Sequence, residues 1–270
     1  MSQITWVLQE KSIKPDDFQG LRQAVLAHDH RLEIMNVVPF AHEPDGPIPH
    51  LNGPVVVYGS EGLLNVARHQ GWAPAGWDGD CLNQSAVLGH HGTHALNTGA
   101  AVVPHTDIAD HMRNHGMHRA FLRPDSEGKA FPGQVMTLDE VESWLTRLHD
   151  ADYFAESVYP VVVAPVQKIG REWRSVIVDG QIAAISQYAN HGENDRQPGA
   201  PADVVQALQA AVTHYAPLPV FVADIAECLQ DNRISYKIIE YNSFNSAGLY
   251  ACDKMTVVAA VSGHVAAQFV

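Results

Sequence analysis

The stretch VFVADIAECLQDNRISYKIIEYNSFNS, residues 220–246, holds two apolar runs, Val220–Ile225 and Tyr236–Tyr241, on either side of the turn formers Asp231 and Asn232. Each run is short and rich in β-branched and aromatic residues, so each predicts a strand, and the turn predicts that the two pair. Three side chains with hard oxygens sit in or beside these runs: Asp224, Glu240 and Asn242. Glu240 and Asn242 are two positions apart and therefore share one face of an extended segment. Pairing of the strands brings Asp224 to the same place. A carboxylate set among apolar strand residues is costly unless something compensates it. Asp, Glu and Asn are the ligand types Mg²⁺ takes together with phosphate oxygens. The competing reading is a pair of ordinary sheet acids; the apolar flanks favour the metal.

A complementary set of cations lies upstream. FLRPDSEGKAFPG, residues 121–133, ends a strand at Arg123 and places Lys129 in a loop between Gly128 and Gly133. Glycine lets backbone N–H groups come close to a phosphate. Lysine adds a mobile point charge and arginine a planar fork. EWRSVIVDGQIAAISQY, residues 172–188, carries Arg174 in the first strand of a hairpin whose two-residue turn is Asp179-Gly180. Cations for phosphate and acids for Mg²⁺ make half of a phosphoryl-transfer site.

Around these segments the chain reads as alternating short strands and amphipathic helices. Ile4–Gln9, Leu32–Val38 and the continuously apolar Val55–Tyr58 predict strands, with helices after Pro15 and after Ser60. That order predicts a small α/β layer at the amino terminus. Further strands are expected at Ala101–Pro104, Arg119–Arg123 and Val161–Val166, and a helix opens at the capping box of Thr137 and Glu140. Asn190–Pro201 reads as a polar loop, Val204–Tyr215 as a helix, and the apolar tail after Asp253 as another helix.

Composition narrows the function classes. With 17 Lys and Arg against 30 Asp and Glu, the formal charge is −13, which argues against a protein that neutralises a nucleic-acid backbone. No apolar run approaches the roughly 18 residues of a membrane span. The opening MSQITWVLQEK lacks a basic region followed by an apolar stretch, so no secretory signal is expected. Cys81, Cys228 and Cys252 are far apart and form no CxxC pair, as suits a reducing cytoplasm and three small buried side chains.

The order and context of FLRPDSEGKAFPG, the EWRSVIVDGQIAAISQY hairpin, the aspartate of VFVADIAE and IIEYNSFNSAGLY resemble the ATP-grasp superfamily. The likeness is closest to the divergent clade that includes the eukaryotic cell-division-cycle protein acting in translation-initiation factor assembly, with bacterial and phage members. The resemblance implies a mixed α/β and α+β fold: an amino-terminal pre-grasp layer over residues 1–95, then an ATP-grasp domain over 96–270. Two lobes of that domain, about 96–160 and 161–270, would clasp MgATP. It implies that Arg123, where most members of the superfamily carry lysine, and Lys129 bind phosphates. Arg174 would then stand by the terminal phosphate and the acyl-phosphate. Val163 to Val166 fall where an inter-lobe linker meets adenine through its backbone, and Lys168 or Glu172 where the ribose lies. Asp224, Glu240 and Asn242 take the place of the Mg²⁺ ligands, and Asn245 and Ser246 that of residues touching phosphate or acceptor. The implied chemistry is ADP-forming ligation: ATP activates a carboxylate, and an amine or similar nucleophile accepts the acyl group, with modification of a peptide or protein among the reactions the resemblance implies.

Two other readings are carried beside it. One is a zinc hydrolase built on His90, His91 and His94 of GHHGTHALN, or on His111, His115 and His118. Gly116 interrupts the second set and neither has a nearby cysteine, so surface or loop histidines are expected. The other is an ATP-binding module without turnover.

Overall fold

The apolar runs near the amino terminus form a parallel sheet, because strands without polar alternation need cover on both faces. Its strands are β1 (Thr5–Leu8), β2 (Arg31–Ile34), β3 (Val55–Tyr58) and β4 (Pro74–Ala75), in the order β2-β1-β3-β4. Helix α1 (Pro15–Ala27) packs on the face presenting Trp6, Leu8 and Val56. Helix α2 (Glu61–His69) packs on the opposite face, against Val7, Val55 and Val57. The structure is a computed structural model and describes residues 3–38, 43–128, 131–150, 158–230 and 233–269.

Helix α3 (Gln84–His91) leads to an antiparallel sheet of β5 (Ala101–Pro104), β6 (Arg119–Pro124), β7 (Gln134–Thr137) and β8 (Pro160–Ala164), in the order β5-β8-β6-β7. Helices α4 (Ile108–Asn114) and α5 (Leu138–Asp150) contribute Ile108, Met112 and Val141 to its core. The expected capping box opens α5. Thr137 N–H donates to Glu140 Oε2 at 2.7 Å, and Glu140 N–H to Thr137 Oγ1 at 3.3 Å.

The third sheet is antiparallel in the order β11-β10-β9-β12-β13, with β9 (Ile169–Val178), β10 (Gln181–Asn190), β11 (Glu193–Pro198), β12 (Val220–Gln230) and β13 (Arg233–Asn242). Asp179 and Gly180 both take positive φ, 50° and 73°, as a two-residue turn between β9 and β10 requires. Helix α6 (Ala202–His214) covers Ile177, Phe221 and Ile225 on one face. Helix α7 (Lys254–Gln268) covers Val176, Val220 and Val222 on the other.

Two expectations are corrected here. Asn190–Pro201 is not wholly loop: β11 lies within it, paired to β10 at Gln187↔Gln197 and Asn190↔Glu193. An edge strand with exposed side chains needs no apolar pattern, so backbone pairing alone makes it. The strand expected to reach Val166 ends at Ala164, before Pro165, which has no N–H to donate.

Helix α7 also seals the amino-terminal layer. Trp6 Nε1 donates to Ser262 Oγ at 3.1 Å, and Asp17 at the start of α1 pairs with Lys254 at 2.9 Å. One apolar cluster therefore runs from β1 and α1 through α7 into the third sheet. Among the described residues no helix is long and apolar enough to cross a membrane.

Candidate active site

Strand register lines up three of the expected site residues. Arg174 on β9 lies opposite Asp224 on β12, and Asp224 opposite Glu240 on β13. Cross-strand partners share a face with Cβ atoms about 5 Å apart. Asn242 follows Glu240 on that face, and Glu172 precedes Arg174 on it. The register shifts after Asp224, where Ile225 pairs with Ile238, so Ile239 is an extra residue. Such bulges bend a strand and re-aim its side chains.

The side chains complete the row. Arg174 grips Asp224 with both arms of its fork, Nε to Oδ1 at 2.8 Å and Nη2 to Oδ2 at 2.6 Å. Its Nη1 donates to the Gly248 carbonyl at 3.1 Å, and Nη2 lies 3.8 Å from Glu240 Oε1. From the second sheet, Arg123 reaches across with Nη1 at 2.7 Å from Glu240 Oε2. Arg123, Arg174, Asp224, Glu240 and Asn242 are all buried, Asp224 to 1 % exposure. Burial by itself would lower the pKa of Arg174, but the charges of Asp224 and Glu240 outweigh that and hold it well above its usual range. Burial raises the Glu172 carboxyl, the Tyr188 hydroxyl opposes this by donating to Glu172 Oε2 at 2.8 Å, and the charges of Asp224 and Glu240 add to the rise.

The loop after Arg123 folds onto this face. Asp125 anchors it by accepting from Ser85 N–H at 2.6 Å and Ser85 Oγ at 2.8 Å, at the start of α3. Glu127 Oε1 accepts from Ser243 N–H at 2.5 Å. Lys129 lies outside the described residues. Sequence reasoning missed Asp125, Ser85 and Glu127, because a loop carboxylate signals its partner only once the chain is folded.

The nucleotide-facing candidates divide. Val163 is buried inside β8, paired across the sheet with Ala101 on one side and Leu122 on the other. It belongs to the sheet core and not to the linker. Val166 and the exposed Lys168 lie on the connector from β8 to β9, the passage from the second sheet to the third.

Asn245 also differs from expectation, because its carboxamide is turned into the amino-terminal layer. Oδ1 accepts from Trp77 N–H at 2.8 Å, and Nδ2 donates to the Val57 carbonyl at 2.5 Å. A Cβ at position 76 would overlap this carboxamide, so glycine is required there. Asn245→Ala should cost about 1–3 kcal/mol for each buried backbone group left without its partner, read as a lower denaturant midpoint at unchanged slope. An unchanged midpoint would show that water replaces the carboxamide.

Beside the row are two small cavities. One of about 250 Å³ is bordered by Glu61, Asp78, Asp80, Glu127 and Ser243, and one of about 140 Å³ by Lys14, Asp17 and Gly248. Gly59, Ser60, Asn245 and Ser246 line both. A larger groove of about 1030 Å³ between β10, α6 and α7 is bordered by none of the expected site residues.

The donor types on this face are those that Mg²⁺ takes, although Arg174 and Arg123 engage the Asp224 and Glu240 carboxylates. Asp224, Glu240 and Asn242 offer hard oxygens on one face, and Asn242 Nδ2 is buried without a hydrogen-bond partner. The amide's two ends exchange by rotation, so this orphan can meet a phosphate oxygen or turn its oxygen to a cation. Among the described residues, no group of three or more His, Cys, Asp and Glu side chains is arranged to hold a metal ion. Two acids and an amide would therefore need phosphate oxygens to complete the shell.

Four of the candidate histidines, His90, His91, His111 and His115, are engaged elsewhere. His91, expected at the surface, is 4 % exposed, and its Nε2 lies 2.8 Å from Tyr241 Oη. Burial, with the nearby His214, His90 and His94, lowers its pKa to about 4. His90 stacks on Tyr215 at 3.7 Å, and His111 on His115 at 4.2 Å. Cys228 and Cys252 are buried, and burial raises both thiols to about 11.

Solved structures share this architecture. The D-cycloserine synthetase DcsG superposes with a TM-score of 0.65 at 16% identity, over 98% of this chain and 100% of its own. D-alanine–D-alanine ligase from Bacillus anthracis gives 0.61 at 13%, over 99% and 98%. The ATP-grasp ligase PsnB, complexed with precursor peptide PsnA2 and AMPPNP, gives 0.56 at 13%, over 98% of each chain. No curated protein matches the sequence. A family model, ATP-grasp domain, R-two-K clade family 3, matches residues 18–261. With the two arginines and two carboxylates meeting between the second and third sheets, and that match spanning most of its length, this chain belongs to family 3 of the R-two-K clade of ATP-grasp domains.

Proposed function

We propose that the chain is an ATP-dependent ligase. A substrate carboxylate oxygen attacks the γ-phosphorus of ATP, the bond to ADP breaks, and ADP leaves. An amine nitrogen or similar nucleophile then attacks the acyl carbon; the bond to phosphate breaks, and the nucleophile gives up its proton. The observation that carries this reading is the chain of ion pairs Arg123–Glu240–Arg174–Asp224, which joins the second sheet to the third.

In this reading Arg123, Lys129 and Arg174 bind phosphate oxygens, and Asp224, Glu240 and Asn242 hold Mg²⁺. When bound, Mg²⁺ offsets the charge on the transferring phosphoryl group. The two arginines keep the carboxylates compensated while no ligand is present, so the face is pre-organised at little electrostatic cost. The connector carrying Val166 and Lys168 borders the adenine and ribose, with Glu172 as the other ribose candidate. Asn245 positions the Ser243–Ser246 turn against the amino-terminal layer. Residues 1–95 form the pre-grasp layer, and 96–160 and 161–270 the two lobes. Likeness to a synthetase and to two ligases, one of them complexed with a precursor peptide, supports a carboxylate and an amine or peptide as the reacting pair.

MgATP at a hundred times its dissociation constant should stabilise the fold by about 2.7 kcal/mol, a rise in melting temperature of roughly 5–10 °C for a chain of this size. A panel of amino-acid and peptide carboxylates with hydroxylamine as nucleophile tests the chemistry. Hydroxamate formed in step with ADP supports the acyl-phosphate route. Stabilisation without ADP from any carboxylate favours a binding module, and no stabilisation removes the nucleotide.

A further inference from the structure

Tyr250 is surrounded by cations drawn from distant parts of the chain. The guanidinium carbons of Arg174 and Arg196 lie 5.0 and 5.4 Å from its ring centroid, and Lys14 Nζ lies 5.1 Å away. Tyr188 stacks on the same ring at 5.0 Å with planes 14° apart. Arg174 comes from β9, Arg196 from the edge strand β11, and Lys14 from the position just before α1.

Arg174 is committed to Asp224. Lys14 and Arg196 are exposed, and among the described residues neither forms an ion pair with an acid. They place two positive charges at one ring in a chain whose formal charge is −13. The ring's negative face relieves part of their repulsion; an anion between them would relieve the rest.

Lys14 borders the cavity of about 140 Å³, which reaches Gly248, the residue whose carbonyl Arg174 holds. Asp17 in the same wall is already paired with Lys254 and with Leu249 N–H. The adjoining cavity is bordered by Glu61 and Asp80, with Asp78 paired to Arg68 and Glu127 accepting from Ser243 N–H, so its wall is acidic where the Lys14 end is not.

We propose that the acyl substrate is a dicarboxylic compound: one carboxylate reacts beside Arg174, and a second is held between Lys14 and Arg196 at the Tyr250 ring. This rests on the ligase reading and names its substrate class. Lys14 and Arg196 act as specificity residues.

The probes are the peptides Ala-Glu-Ala-Glu and Ala-Gln-Ala-Gln, which differ in two charges. Calorimetry measures their binding to the full chain, with and without Mg²⁺ and AMPPNP. The acidic peptide should bind at least about tenfold more tightly, a 1.4 kcal/mol preference, and added salt should erode the difference. In Lys14→Gln/Arg196→Gln the preference should fall below about threefold, while the unliganded melting temperature shows that the variant is folded. Equal binding of the two peptides by the wild type, or an undiminished preference in the double variant, overturns the proposal. Loss of AMPPNP binding by the wild type would overturn the ligase reading instead, and the peptide preference measured without nucleotide still decides the anion site.

Discussion

Asp224→Asn is expected to weaken MgATP binding at least about a hundredfold and to change the affinity for metal-free ATP by less than about threefold. The substitution keeps the shape of the side chain and removes one of the two candidate metal-binding carboxylates, the other being Glu240 on the same face. A divalent cation feels that loss directly, whereas a bare triphosphate meets one fewer negative charge. Stability falls as well. Arg174 is 8 % exposed and directs both arms of its fork at Asp224, so the variant leaves a buried guanidinium poorly compensated. Breaking a buried pair from one side costs about 3–5 kcal/mol, roughly 10 °C in melting temperature. Calorimetric titrations with and without Mg²⁺ check the first effect and thermal melts the second. Equal weakening for both nucleotide forms would remove Asp224 from the metal site.

Arg174→Met should lower turnover about a thousandfold, the scale seen when an arginine stabilising a transferring phosphoryl group is lost. Methionine keeps the length of the side chain and gives up the charge and the fork. Lysine in its place should restore only part of the rate, because an ammonium cannot grip two oxygens in a plane. The same variant takes from Asp224, which is 1 % exposed, the fork that grips both its oxygens, at a cost of about 3–5 kcal/mol. The double variant Arg174→Met/Asp224→Leu separates the two roles. With neither charge left unpaired, most of the lost stability should return. Turnover and MgATP binding should not. Recovery of stability and activity together would mean that the pair is structural only.

Much of the candidate site was legible before folding. Glu240 and Asn242 declare a shared face by their spacing, and Asp179-Gly180 declares the hairpin that carries Arg174. The Thr137–Glu140 box marks a helix start by residues three apart. β11 was hidden because an exposed edge strand needs no apolar alternation, and Val163 was misplaced because an apolar run does not announce where a sheet ends. Asn245 looked like a ligand residue on its position after Asn242; only its neighbours Trp77 and Val57 reveal a strut.

By itself the sequence determined which chemistries were present and how each strand and turn would form, since side-chain period and turn conformation act over a few residues. Tertiary structure alone decided which polar groups meet: Arg123 with Glu240 across two sheets, Glu127 with the Ser243 N–H, Asp17 with Lys254, and Lys14 with Arg196 around Tyr250. Those meetings join residues far apart in the chain, and a contact of that kind exists only after the hydrophobic cores have closed the distance between them.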